Sequence, residues 1–235
     1  MIRRALISGA VTLGLLALGQ PDASAQAENR VFRFVPHANL AVLDPIWTTA
    51  YVTRNHAYMV YDTLFSEDAQ GNVKPQMVDT YSVSADKKTW RFTLRSGLEF
   101  HDGKPVTSTD VVASLKRWAS RDAMGGVLSG FIHRYQTPDA ETFEIVLKEP
   151  TGILIDALGK ASSNVPFIMP ERIANTPGTE QIKEAIGSGP FILRPMNSSS
   201  VPRRSMSATR VISPATRRRA AWRAVARSTL IGWSG

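Results

Sequence analysis

A chain of 235 residues with 43% hydrophobic residues can bury a core, which excludes global disorder. With no cysteine it has no thiol nucleophile, no disulfide framework and no cysteine-based zinc site. The formal charge of +8 is not spread along the chain. Residues 1–195 hold 20 Lys+Arg against 20 Asp+Glu, and residues 196–235 hold eight Arg with no acid.

Residues 1–25 read as an export signal. Arg3 and Arg4 precede an apolar run from Ala5 to Leu18, and Ala23-Ser24-Ala25 fits the small-residue pattern of a cleavage site. The run falls short of the roughly 20 apolar residues needed to cross a bilayer of about 30 Å. The mature chain is expected to begin at Gln26. With no cysteine at that junction it is expected to be free in the periplasm rather than lipid-anchored.

Residues 30–35 (RVFRFV) predict a buried strand leading into a loop at Pro36–Leu43. Asp44-Pro45 ends that loop, because proline pushes the preceding residue out of the helical region. From Ile46 to Phe65 the pattern predicts helix, with Tyr51, His56, Tyr58, Met59, Tyr61 and Leu64 on roughly one side. Asp68–Asn72 predicts a turn in which Gly71 takes positive φ.

Thr89–Arg95 alternates as a half-buried strand, Trp90, Phe92 and Leu94 facing one way. Phe143, Ile145 and Leu147 predict a second such strand. Between them Thr107-Ser108-Thr109-Asp110 is a capping-box start. The Asp110 carboxylate can reach back to the N-cap from the positive end of the helix. Val111, Val112, Leu115, Trp118 and Ala119 follow as an apolar stripe at helical spacing. Gly187-Ser188-Gly189-Pro190 reads as a tight backbone lead into a strand at Phe191–Leu193. The fold class is mixed α/β (α+β), with no internal repeat.

The chemistry-bearing residues are sparse. His37, His56, His101 and His133 are isolated from one another, so no histidine metal site is expected, and nothing calls for a cofactor. His101-Asp102-Gly103 is read as a turn and not as a His–Asp relay, with Asp102 accepting backbone N–H groups. The Gly187–Pro190 stretch lacks the spacing and lysine of a phosphate loop and the flanking glycine of a nucleophile elbow. No catalytic residue emerges, and the chain is read as no enzyme.

After Pro195 the sequence changes kind. Its 40 residues contain eight Arg and eight Ser, no acid and no Lys, and only a weak basic helix at Ala220–Ile231. The arginines lack interleaved aromatics or a known motif, so no nucleic-acid partner is expected. Such a stretch is what an alternative frame of GC-rich coding DNA gives, so residues 196–235 are expected to be out-of-frame or disordered. An exported basic interaction protein acting through this tail is the alternative reading.

Met77–Trp118 resembles the signature of family 5 solute-binding proteins. That signature runs from a W-x-F-x-L-R strand through G-x-x-F-H-D-G to a proline and a capped D-V-V helix. Here these are Trp90, Phe92, Leu94 and Arg95, then Gly97 to Gly103 with Phe100, His101 and Asp102, then Pro105 and Asp110. Leu43–Pro45 (LDP), Val60–Phe65 (VYDTLF) and Gly187–Phe191 (GSGPF) fall in the family's order. The resemblance implies the N-terminal part of a periplasmic-binding-protein type II fold. Residues 26–45 and 186–195 would belong to the first lobe and 46–185 to a small inserted domain, with the second lobe missing. It also implies a monomeric periplasmic component of an ABC importer that binds peptides or a similar small polar solute and docks on an inner-membrane permease. Ligand contacts would come from His37, Asn39 and Leu40 and from Gly187, Ser188 and Gly189. A chain shortened in this way is expected to bind poorly, and FHDG is expected to be a structural turn outside the cleft.

Overall fold

The computed structural model describes residues 36–193, the backbone of Arg194 and that of Ser205–Ala208. The expected signal at 1–25, the strand at 30–35 and the weak helix at 220–231 lie outside the described residues.

The stretch expected to be one helix from Ile46 to Phe65 is shorter. Helix α1 covers Tyr51–Val60, and Tyr61 is already extended at φ −113° and ψ 156°. Strands β1 (Asp62–Thr63) and β2 (Phe65–Glu67) follow. Tertiary pairing overrides the helical spacing here: β1 pairs with β8 (Phe167–Ile168), and β2 pairs with β3 (Val73–Pro75). Gly71 takes φ +80° in the turn between β2 and β3, as its position predicts.

The main sheet has four antiparallel strands in the order β4 (Val78–Val83), β5 (Thr89–Leu94), β7 (Thr142–Leu147), β6 (Ile132–Gln136). The alternation in β5 and β7 sorts their faces as expected. Phe92, Leu94, Phe143, Ile145 and Leu147 are buried. Phe92 lies opposite Phe143, with ring centroids 4.8 Å apart and planes 11° from parallel. Each such ring contributes roughly 1.5–3 kcal/mol through burial.

Helix α2 (Ser108–Ala119) lays Val111, Leu115 and Trp118 against this face. Its start is built on Asp110, whose Oδ2 accepts from the Thr107 backbone N–H at 2.8 Å and from the Thr107 hydroxyl at 2.6 Å. The other oxygen of Asp110 accepts from Glu171 N–H at 2.7 Å, at the start of the short helix α5 (Glu171–Ala174). One carboxylate thus opens two helices. Helix α3 (Ala123–Phe131) is N-capped by Asp122, and α4 (Leu154–Gly159) adds Leu154 and Leu158 to the core. A second apolar cluster joins Ala57, Val60 and Tyr61 to Val165, Phe167, Met169 and Ile173.

Strand β9 (Phe191–Arg194) pairs antiparallel with β10 (Ser205–Ala208). Four residues of the stretch expected to carry no regular structure therefore form a strand. Backbone pairing on an open strand edge needs no side-chain alternation, which is why the sequence did not signal it.

Candidate functional site

The loop after Pro36 presents His37 and Asn39 to solvent, with Leu40 half-buried. Its root is fixed. Asp44 is buried and meets the buried Arg117 of α2 in a two-pronged pair, Nη1 to Oδ1 at 3.0 Å and Nη2 to Oδ2 at 2.8 Å. Arg117 also donates to the Thr176 and Glu180 carbonyls, each at 2.9 Å. Asp44 in turn accepts from the Ile46 and Ile182 amides. Beside this pair, Trp118 Nε1 donates to Asn164 O at 2.6 Å and Asn164 Nδ2 donates to Pro45 O at 3.1 Å. Thr53 Oγ1 donates to Val42 O at 3.0 Å and ties the loop to α1.

The second expected ligand segment lies in a different setting. His101 Nε2 meets Gly189 O at 2.8 Å, Gly187 N–H points to His101 Nδ1 at 3.4 Å, and His101 N–H donates to Gly187 O at 2.8 Å. Gly189 N–H donates to Val60 O at 2.8 Å, and the Ser188 hydroxyl donates to Asp62 Oδ2 at 3.0 Å. Asp62 also accepts from Gln76 Nε2 at 2.8 Å, and Arg95 Nε donates to Gln76 O at 2.6 Å. Gly187, Ser188 and Gly189 therefore direct these polar groups into the fold. His101 is more than part of a turn, because its ring is the latch on this segment. Asp102 Oδ1 does accept from the Lys104 amide, and its other oxygen pairs with Arg172.

An open cleft of about 240 Å³ lies between α1, β2 and residues 159–162. Arg54, Tyr58, Phe65 and Glu67 are among the residues that line it. No motif in the sequence announces it, because its walls join residues 54–68 to the distant residues 159–162, and their charged and polar side chains look like an ordinary solvated face. Among the described residues no three His, Asp or Glu side chains converge to hold a metal ion, and no helix is long and apolar enough to cross a membrane.

Residues 72–201 match the family model described as bacterial extracellular solute-binding proteins, family 5 Middle. The chain belongs to family 5 of the bacterial extracellular solute-binding proteins. Members of family 5 are transport binding proteins and not enzymes. The match runs a few residues past Pro195, where the composition changes. Over 153 residues the chain is 49% identical to a probable peptide ABC transporter periplasmic-binding protein of Sinorhizobium fredii, covering 65% of this chain and 28% of that one. It is 28% identical over 162 residues to the glutathione-binding protein of Salmonella typhi, covering 68% of this chain and 31% of that one. Among solved structures, the agropinic acid complex of a periplasmic binding protein from A. tumefaciens R10 matches with TM-score 0.54 and 29% identity, over 67% of this chain and 32% of that one. An oligopeptide-binding protein of Haemophilus influenzae in complex with a nonapeptide shares the fold at TM-score 0.52 and 20% identity, over 65% of this chain and 33% of that one. The chain thus spans about a third of the length of these family 5 relatives.

Proposed function

We propose that this chain serves as the periplasmic solute-capturing component of an ABC importer for peptides or a similar small polar solute. Residues 1–25 export it, and a permease in the inner membrane receives its cargo. The observation that carries this reading is the exposed loop at His37–Leu40, held at its root by the buried Asp44–Arg117 pair. A recognition loop on a rigid base loses little conformational freedom when it meets a ligand. Two relatives whose names specify peptide and glutathione support the solute class. In this reading residues 26–45 and 186–195 belong to the first lobe and 46–185 to the inserted domain. Ligand contact then falls to His37, Asn39 and Leu40. The Gly187–Gly189 segment is left a supporting role in the fold, through His101, Asp62 and Val60.

The described residues leave His37 and Asn39 open to solvent. A solute pocket buries roughly 70–90% of its ligand, so this chain alone binds peptides weakly. Titration with a mixture of di- and oligopeptides, followed by amide NMR, tests both parts. Peptides at about 1 mM are expected to shift the amides of residues 37–40, and no shift there would overturn the capture role. A dissociation constant near 1 μM, about −8.2 kcal/mol, would overturn the weak affinity. Deleting residues 209–235, which spares β10 and removes six of the eight tail arginines, leaves the response unchanged; its abolition would instead favour binding through the basic tail.

A further inference from the structure

We propose that the cleft between α1, β2 and residues 159–162 is a separate site for a free α-amino acid, with Arg54 taking the carboxylate and Glu67 the ammonium. The assignment rests on which charges in the cleft are already engaged. Lys160 lines it, but its Nζ lies 2.7 Å from the buried carboxylate of Asp122. Asp68 lines it, but its Oδ1 accepts from the Gln70 and Asn72 amides, each at 2.9 Å, and from Asn72 Nδ2 at 3.2 Å. That leaves one cation and one anion. Arg54 and Glu67 form no ion pair among the described residues, and the Arg54 guanidinium rests 4.5 Å over the exposed Tyr51 ring.

Tyr58 lines the same cleft as these charges. Burial raises its hydroxyl pKa well above the ordinary tyrosine range, while Arg54 acts to lower it and Glu67 to raise it further. That hydroxyl donates to Ala161 O at 3.0 Å and fixes the wall formed by residues 160–162. The Tyr58 ring is held edge-on against Phe167, with centroids 4.9 Å apart. With Phe65 it gives an aromatic wall to a cleft that also carries the two opposite charges. A volume of about 240 Å³ lies below the roughly 300–1,000 Å³ of drug-sized sites, which suits a single amino acid. The site does not depend on the peptide-capture reading, because it shares no residue with the loop at 37–40.

L-leucine is a suitable probe, with two analogues that each lack one charge: L-leucinamide and N-acetyl-L-leucine. Titrated to about 20 mM against the labelled chain, L-leucine is expected to shift the amides of residues 66–68 and 160–162. Each analogue is expected to bind about tenfold more weakly, since each loses a charge-assisted contact. In Arg54→Gln, L-leucine and L-leucinamide become equal binders. In Glu67→Gln, L-leucine and N-acetyl-L-leucine become equal. Unchanged amide shifts in β7 report that both variants are folded. The proposal is overturned if L-leucine shifts none of these amides, or if the analogues bind the unsubstituted chain as well as L-leucine does. A peptide response at residues 37–40 is read from different amides, so the two readings fail separately.

Discussion

The pair between Asp44 and Arg117 offers the sharpest test of how the loop is held. Arg117→Met keeps an unbranched chain of similar length and removes the charge. The substitution deletes four hydrogen bonds, two to the Asp44 carboxylate and one each to the Thr176 and Glu180 carbonyls. Asp44 has no exposed surface and Arg117 has only 4%, so water cannot replace the lost donors without local opening. Removing one partner of a buried pair costs about 3–5 kcal/mol, mostly because the remaining charge is left uncompensated. Two amides still donate to Asp44, which favours the lower end, about 3 kcal/mol. Asp44→Asn combined with Arg117→Met removes both charges and should regain roughly half of that loss. Urea unfolding of the four proteins in a double-mutant cycle measures the coupling directly. Hydrogen exchange at Ile46 and Ile182, whose amides donate to Asp44, should quicken in Arg117→Met before global unfolding does. A cost below about 1 kcal/mol, or a cycle with no coupling, would refute the claim that this pair roots the loop.

Gly189→Ala would put a Cβ 2.6 Å from the Val60 carbonyl carbon and 2.7 Å from the Met59 oxygen, and both obstacles are backbone. A loss of about 3 kcal/mol or more in urea melts is expected, and a neutral variant would show that the latch is not tight. His101→Ala removes the ring from Gly189 O and from Gly187 N–H and should cost about 1–2 kcal/mol, with faster exchange at the Gly187 amide. The same geometry requires the neutral tautomer with the proton on Nε2, which nitrogen NMR of the imidazole reads directly; a proton on Nδ1 would contradict it. At high pH the buried tyrosines set the limit. Burial pushes the Tyr135 hydroxyl up to about 12 and raises those of Tyr58 and Tyr61 further. A raised folded-state value means stability is intact below the ordinary tyrosine value near 10 and is lost as pH rises toward 12 and beyond. Alkaline titration followed by near-ultraviolet circular dichroism checks this, and phenolate absorbance amounting to all five tyrosines near pH 10 with no loss of structure would refute it.

Local signals carried well where the physics is local. The alternation of β5 and β7, the Asp110 start of α2 and the turn at Gly71 all follow from residues within a few positions of each other. The expected helix at Ile46–Phe65 was too long because Asp62–Thr63 is claimed by strand partners about a hundred residues away and Phe65 by Pro75 of β3, which spacing alone does not encode. Strands β4 and β6 went unread because they lie at the two edges of the sheet, where exposure weakens the alternation. For the site, the loop at His37–Leu43 was legible as a loop, but its buried root was not. Nothing in the sequence pairs Asp44 with Arg117 across 73 positions. The open cleft was invisible for the same reason.

These contacts also bear on what a family resemblance can tell about a solute. The segments that mark this chain as family 5 are largely partners of one another. Arg95 of the W-x-F-x-L-R strand bonds Gln76, Gln76 bonds Asp62 of VYDTLF, Asp62 accepts from Ser188 of GSGPF, and His101 of FHDG latches the glycines on either side. Such a chain of mutual hydrogen bonds tolerates few residue types at each position, since every lost partner leaves a buried polar group unsatisfied. That intolerance makes the motifs recognisable, and it also removes those groups from contact with a ligand. Residues free to face a solute, such as His37, Asn39, Arg54 and Glu67, stand outside every motif. Under the proposed function, solute preference is expected to follow substitutions at those unmarked positions, and changes within FHDG or GSGPF should alter stability before they alter which solute is held.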